Sequence, residues 1–221
     1  MAEASLSGVV PRSLPALLAA CLVGLAPGAA SAACGGAVTE PAGKKLGDFR
    51  SPLIIGDSVL LGAVDPVAKS GWDVNTRGCR SWTEGAQLVR DKLRAGRLPH
   101  LVAMFLGADW EVSTAQLAET YFRMGKSRVL VLVTPREVGG RGGEDAQNMR
   151  RFAKEHPARV ILLDWVKHTK NRPGWFAPDG LHLNRPGIPG LVKFLKPALA
   201  YAEPGAFPEA PEPAAPPASP R

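Results

Sequence analysis

Leu53-Ile54-Ile55-Gly56-Asp57-Ser58-Val59-Leu60-Leu61 decides how this chain folds. Leu53 to Ile55 is an unbroken apolar run, and such a run reads as a strand buried on both faces. Gly56 permits a tight turn with the backbone close to a neighbour. Asp57 and Ser58 are residue types that open helices, so a helix is expected from Ser58 toward Lys69. A strand leading straight into a helix is half of a parallel βαβ unit.

The pattern repeats outward. Trp72-Asp73-Val74-Asn75 reads as the second strand. Thr83 is placed to cap a helix carrying Ala86, Val89 and Leu93, with Gly96 stopping it. Leu101 to Leu106 is the third strand. Ser113 and Gln116 form a capping-box pattern for a helix to about Met124. Val129 to Val133 is the fourth strand, Glu144 to Glu155 a helix ended before Pro157, and Val160 to Leu163 the fifth strand. Pro186 to Ala202 carries a last helix with prolines that interrupt it. The expectation is an α/β fold: a three-layer α/β/α sandwich around a parallel sheet of about five strands, flavodoxin-like in architecture. In such sheets ligands bind outside the carboxyl ends of the strands.

The flanks differ from this core. Residues 1–33 read as a secretion signal: Arg12, an apolar stretch from Leu14 to Ala30, and Ala30-Ser31-Ala32 in the form signal peptidase favours. A transmembrane anchor fits less well, since Pro15, Gly24, Pro27 and Gly28 break a short run. Lipidation at Cys34 also fits less well, because Ser31-Ala32-Ala33 lacks a large aliphatic residue. Residues 34–49 read as irregular, 50–202 as the folded domain, and 203–221, with seven prolines among Ala and Glu, as a disordered tail. Of three cysteines, Cys21 would leave with the signal. Cys34 and Cys79 would then pair in an oxidising compartment and pin the N-terminal segment beside the loop after the second strand.

The net charge of +7 is scattered and interleaved with acidic residues, so no basic stripe points to nucleic acid. Loose attraction to an anionic envelope or acidic glycan is compatible with it. No His/Cys cluster has metal-ligand spacing, the glycine-rich Val138 to Gly143 lacks a Walker pattern and reads as a flexible loop, and no cofactor is expected.

Gly56-Asp57-Ser58 alone is only a helix start, although Ser58 there would sit among orphan N–H groups at the positive end of a dipole. Asp179-Gly180-Leu181-His182 changes its meaning. A serine hydroxyl needs a base to become a nucleophile; His182 can take its proton, and Asp179, three residues away, can hold the imidazole in the right tautomer. His100, His156 and His168 have no such carboxylate context and read as surface or structural.

In order along the chain, Ile54-Ile55-Gly56-Asp57-Ser58-Val59, Gly78-Cys79-Arg80-Ser81, Leu106-Gly107-Ala108-Asp109 and Asp179-Gly180-Leu181-His182-Leu183 resemble blocks one, two, three and five of the SGNH/GDSL hydrolase superfamily. Val133-Thr134-Pro135-Arg136, Leu163-Asp164-Trp165 and Trp175-Phe176-Ala177 resemble the SGNH domains of peptidoglycan O-acetyltransferases and related membrane acyltransferases. The resemblance runs from about Ile54 to Leu195. It implies a triad of Ser58, His182 and Asp179. It also implies an oxyanion hole from the Ser58 N–H, a backbone N–H near Cys79 and the block-three residue, with Gly107 and Trp110 beside it. Each such donor is worth about 3 kcal/mol in a transition state.

Two positions depart from the family pattern. Asp109 stands where asparagine is usual, and an ionised carboxylate cannot donate to an oxyanion. Cys79 stands near the usual glycine. The expected function is therefore an exported serine esterase or acetyl-transfer enzyme acting on an acylated carbohydrate or small ester, as a monomer, without nucleic acid. No acyl-delivery part is expected within the chain, so hydrolysis is the expected reaction unless a membrane partner supplies the acyl group. A weakly active or non-catalytic glycan-binding module is the alternative, motivated by Asp109. Of five tryptophans, Trp72 and Trp165 read as core, and Trp110 and Trp175 as lying near the cleft.

Overall fold

A computed structural model describes residues 34–140 and 142–206. The expected signal segment 1–33 and the tail from residue 207 lie outside the described residues. The elements are strand β1 (Val38–Glu40), strand β2 (Leu53–Gly56), helix α1 (Ser58–Leu61), helix α2 (Val64–Lys69), strand β3 (Asp73–Thr76), helix α3 (Trp82–Arg94), strand β4 (Leu101–Phe105), helix α4 (Thr114–Arg123), strand β5 (Val129–Val133), helix α5 (Glu144–Glu155), strand β6 (Val160–Leu163), helix α6 (Trp165–Thr169), a 3-10 turn (Pro173–Trp175), helix α7 (Gly187–Leu195) and a second 3-10 helix (Lys196–Tyr201).

The sheet has six strands in the order β1-β3-β2-β4-β5-β6. All neighbours are parallel except β1, which pairs antiparallel with β3. The expected three-layer sandwich is present, and the alternation along each strand explains it. Ile54, Val74, Ala103, Phe105 and Val131 face one way, into a core with α1, α2, α6 and α7. Leu53, Ile55, Val102, Met104, Leu130 and Leu132 face the other way, into a core with α3, α4 and α5. The apolar runs of β2, β4, β5 and β6 therefore fill two cores. Trp72 and Trp165 are fully buried, as their core reading expected, and so is Trp82, whose indole N–H donates to Thr120 Oγ1 at 3.0 Å.

Three local readings are corrected. Residues 34–49 are not wholly irregular: Val38–Glu40 adds the sixth strand, because Thr39 and Glu40 can pair with Asn75 and Val74 at the open edge of β3. Helix α3 is capped by Ser81, not Thr83. The Ser81 hydroxyl accepts the Glu84 N–H, and Glu84 returns to the Ser81 N–H, so the box begins two residues earlier. The stretch after Ser58 is two short helices, because Gly62 closes α1 after one turn.

Topology places the site. The chain leaves β2 for β3 on one side, then returns to β4 on the other. The carboxyl end of β2 is thus the switch point, where adjoining loops diverge and leave a crevice. Gly56-Asp57-Ser58 lies there.

Candidate active site

Gly56 is buried against Leu60, whose Cβ would lie 2.6 Å from any Cβ placed on residue 56. A side chain there would push α1 away from the strand. Asp57 caps α1, accepting the Val59 N–H on Oδ1 at 3.1 Å. Its Oδ2 accepts the Ala108 N–H at 3.2 Å, and its carbonyl accepts the Thr76 hydroxyl at 2.6 Å. Asp57 therefore ties the Ser58 turn to the Gly107–Asp109 loop and to the end of β3. Because α1 is a single four-residue turn, the helix-dipole contribution expected at Ser58 is small.

Ser58 is half-buried, and its Oγ lies 2.9 Å from His182 Nε2. His182 Nδ1 lies 2.8 Å from Asp179 Oδ2. The three residues expected from sequence are thus brought into one hydrogen-bonded line, across 124 residues of chain. Asp179 Oδ1 accepts the backbone N–H groups of Leu181 and His182 at 2.9 and 3.0 Å. Burial pushes the Asp179 carboxyl upward, but hydrogen bonds from the His182 ring and these two N–H groups hold it below the usual carboxylate range.

The block-five turn is itself clasped. Gly139 N–H donates to the Asp179 carbonyl at 2.7 Å. The buried Arg136 donates from Nε to the Gly180 carbonyl at 2.9 Å and from its guanidinium to Thr169 Oγ1 at 2.7 Å, with its plane 3.9 Å over the Phe176 ring. Gly180 has φ +71°, and a Cβ there would lie 2.8 Å from Gly140 N. The glycine-rich segment after β5 is therefore packed against the Asp179 turn and holds it, with Glu137 lining the neighbouring cleft. Composition showed the glycines, but their partner is 40 residues further on.

Cys79 is bonded to Cys34, the pairing expected from the cysteine count. Its carbonyl accepts the Trp110 indole N–H at 3.0 Å. Arg80 is buried and donates to the Gly56 and Asn75 carbonyls at 3.2 and 2.8 Å. The backbone N–H groups of Ser58 and Cys79 have no hydrogen-bond partner among the described residues.

Asp109 is exposed, and its carboxylate accepts no hydrogen bond among the described residues. It lies close enough to help raise Asp57, whose carboxyl is pushed up to about 6, first by burial and then by the Asp109 charge. Gly107 has φ +116°, and a Cβ there would meet Pro135 Cγ at 2.8 Å, so this loop turns on a glycine. Gly107 to Glu111, Glu137, Glu144 and Asp145 line a cleft of about 260 Å³. Its walls are acidic although the chain is basic overall. Trp110 is 55% exposed there. Trp175 is not in the cleft: its ring stacks on Trp165, 5.9 Å between centroids, and lies against Gly190 under Arg172. It flanks block five in sequence, but the 3-10 turn points it into the α7 layer.

Asp57 makes a pH-dependent prediction. Its folded value lies above the ordinary carboxylate value. Its contribution to stability is therefore fully present below about pH 4 and is lost as pH rises through about 6. Asp57→Asn, neutral throughout, should gain relative to wild type by roughly 3 kcal/mol between pH 3.5 and 7. Denaturant midpoints across that range measure it, and a constant difference would rule it out.

No family model matches the chain. The chain is 26% identical over 150 residues to the O-acetyltransferase OatA of Staphylococcus aureus, an alignment covering 66% of this chain and 24% of that protein. It thus spans about a quarter of the curated relatives' length. Among solved structures it resembles the C-terminal catalytic domain of the Streptococcus pneumoniae peptidoglycan O-acetyltransferase OatA, with TM-score 0.60 and 22% identity, covering 71% of this chain and 93% of that one. The psychrotrophic esterase EstA of Pseudoalteromonas superposes with TM-score 0.50 at 12% identity, covering 67% and 96%. The chain is thus similar in sequence to part of an O-acetyltransferase, and in fold to a solved O-acetyltransferase catalytic domain and a solved esterase.

Proposed function

We propose that this chain, with its SGNH-type fold and its likeness to O-acetyltransferase domains, is an exported serine esterase or O-acetyl-transfer enzyme acting on acylated carbohydrate. One observation carries the reading: Ser58 Oγ, both ring nitrogens of His182 and Asp179 Oδ2 form a continuous hydrogen-bonded line.

Mechanistically, His182 Nε2 takes the Ser58 proton as Oγ attacks the acyl carbon. Negative charge develops on the former carbonyl oxygen. The unpaired N–H groups of Ser58 and Cys79 are the donors offered to it. Asp179 keeps the proton on His182 Nδ1, so Nε2 is free to accept, and its charge stabilises the imidazolium. His182 then returns the proton to the leaving oxygen. Water or a sugar hydroxyl attacks the acyl-enzyme by the reverse sequence. The acidic cleft beside block three disfavours polyanionic groups close to the reacting centre and directs such acceptors elsewhere.

A serine-directed fluorophosphonate tests this. The full chain should gain one adduct, located at Ser58 by peptide mass, and should hydrolyse an aryl acetate at a rate that the adduct abolishes. No adduct and no hydrolysis would favour the second reading, a glycan-binding module.

Asp109 motivates that second reading, and its effect is testable alone. A carboxylate near a developing oxyanion opposes it, so Asp109→Asn should raise kcat by about tenfold, the order of one modest donor gained and one repulsion lost. A fall in kcat would mean that the carboxylate has its own role.

A further inference from the structure

We infer that the Cys34–Cys79 disulfide is a positioning element of the acyl-transfer site, standing in for the glycine that the backbone at residue 79 would otherwise require. The inference rests on the catalytic reading above.

Cys79 has φ +53°, the only positive value at a non-glycine residue among those described. An L-residue resists this conformation because its Cβ crowds the adjoining carbonyl. It persists only where the surroundings over-determine it. The surroundings of Cys79 do so from both sides. On one side, the bond to Cys34 ties its side chain to the N-terminal segment. That segment is anchored by β1 pairing on β3, by the Asn75 amide donating to Thr39 Oγ1 at 2.7 Å, and by the Ala42 N–H donating to Asp73 Oδ1 at 2.8 Å. Gly78 makes the approach possible: a Cβ there would lie 2.5 Å from the Cys34 carbonyl oxygen. On the other side, Trp110 holds the Cys79 carbonyl and the buried Arg80 holds the strand ends flanking the turn.

The group left unpaired between these restraints is the Cys79 N–H. Without the crosslink, residue 79 is free to relax to a right-handed or extended conformation. That relaxation turns the peptide planes on either side and redirects the N–H. The N-terminal segment is on this account part of the site, although it precedes the first parallel strand and carries none of the reacting groups.

A disulfide closing a 45-residue separation also stabilises the fold in general, so simple removal cannot separate the two roles. Two variants that both lack the bond can: Cys34→Ala/Cys79→Gly and Cys34→Ala/Cys79→Ala. They differ only in how readily residue 79 takes a positive φ. Measured on the full chain with an aryl acetate, the glycine variant should keep kcat within about threefold of wild type. The alanine variant should fall about tenfold below it, with KM values within about twofold. Equal kcat in the two variants, or a faster alanine variant, overturns the inference. So do free thiols at both Cys34 and Cys79 in the oxidised wild-type chain.

If wild-type hydrolysis is absent, or survives Ser58→Ala, the catalytic reading has failed instead. The denaturant midpoints then still decide the conformational claim. The glycine variant should be the more stable of the pair, and an alanine variant of equal or greater stability overturns it.

Discussion

Ser58→Ala is expected to lower kcat for aryl acetate hydrolysis by about 10⁵ to 10⁶, and His182→Ala by nearly as much, with the double variant no worse than either. The reason is the shared proton. Ser58 Oγ and His182 Nε2 are 2.9 Å apart, so the proposed nucleophile and its proposed base form one device. A hydroxyl without its base is a poor nucleophile, and a base without a nucleophile has no proton to take. Removing the second member of a pair already disabled therefore takes away little more. Residual rates should stand about 10³ to 10⁴ above water, carried by the backbone donors. The fold should tolerate both changes, because Ser58 and His182 are only half-buried and neither side chain supports either core. Losses that multiply in the double variant would mean that the two residues act separately, and the proposed unit would be wrong.

Local patterns were legible in sequence where one residue type does one local job. The Ser113–Gln116 box opens α4 as expected, with both reciprocal hydrogen bonds made. Val129 to Val133 is buried throughout and is the strand expected from its run of apolar residues. Asp179 and His182 were readable as partners because three residues of one turn bring them together. Where two patterns compete, a single residue type does not choose between them. Thr83 and Ser81 are both good caps, and Glu84 decides between them, since only Ser81 has an acidic residue three positions on.

Long-range contacts were not legible, for a physical reason. Val38-Thr39-Glu40 has no hydrophobic alternation to announce a strand; it is held because the edge of β3 offers unpaired backbone groups. Arg136 stands out in sequence only as the end of Val133-Thr134-Pro135-Arg136, which names none of its partners. Its burial follows from what it satisfies at once: the Gly180 carbonyl, the Thr169 hydroxyl and the Phe176 face. No spacing rule links residue 136 to residue 180. Cys79 is an intermediate case. Its pairing with Cys34 followed from counting cysteines, while its left-handed backbone follows only from the three-dimensional path of the N-terminal segment.

Asp179→Asn is expected to lower kcat by about 10⁴ while leaving the fold nearly intact, and the asymmetry of the carboxylate explains why. Oδ1 accepts two backbone N–H groups, from Leu181 and His182, whereas Oδ2 accepts only the ring Nδ1–H. Asparagine has one oxygen and one NH₂ group to fill these places. Two donors outweigh one, so the amide oxygen takes the Oδ1 position and keeps the turn. The NH₂ group then faces His182 Nδ1. Two donors cannot share that hydrogen bond, so the ring gives up the Nδ1 proton and carries it on Nε2 instead. Nε2 now points a donor at Ser58 and can no longer take its proton. The Arg136 and Gly139 clasp on the Gly180 and Asp179 carbonyls holds the turn in place meanwhile, so the defect is one of protonation, not position. Circular dichroism and the denaturant midpoint should therefore change little, and KM should stay within a few-fold. Asp179→Ala should behave differently: it also abandons the two backbone N–H groups, so it loses stability as well as rate, by about 1–2 kcal/mol. An Asp179→Asn variant keeping kcat within tenfold of wild type would mean that some other group orients His182, and the role given to Asp179 would have to be withdrawn.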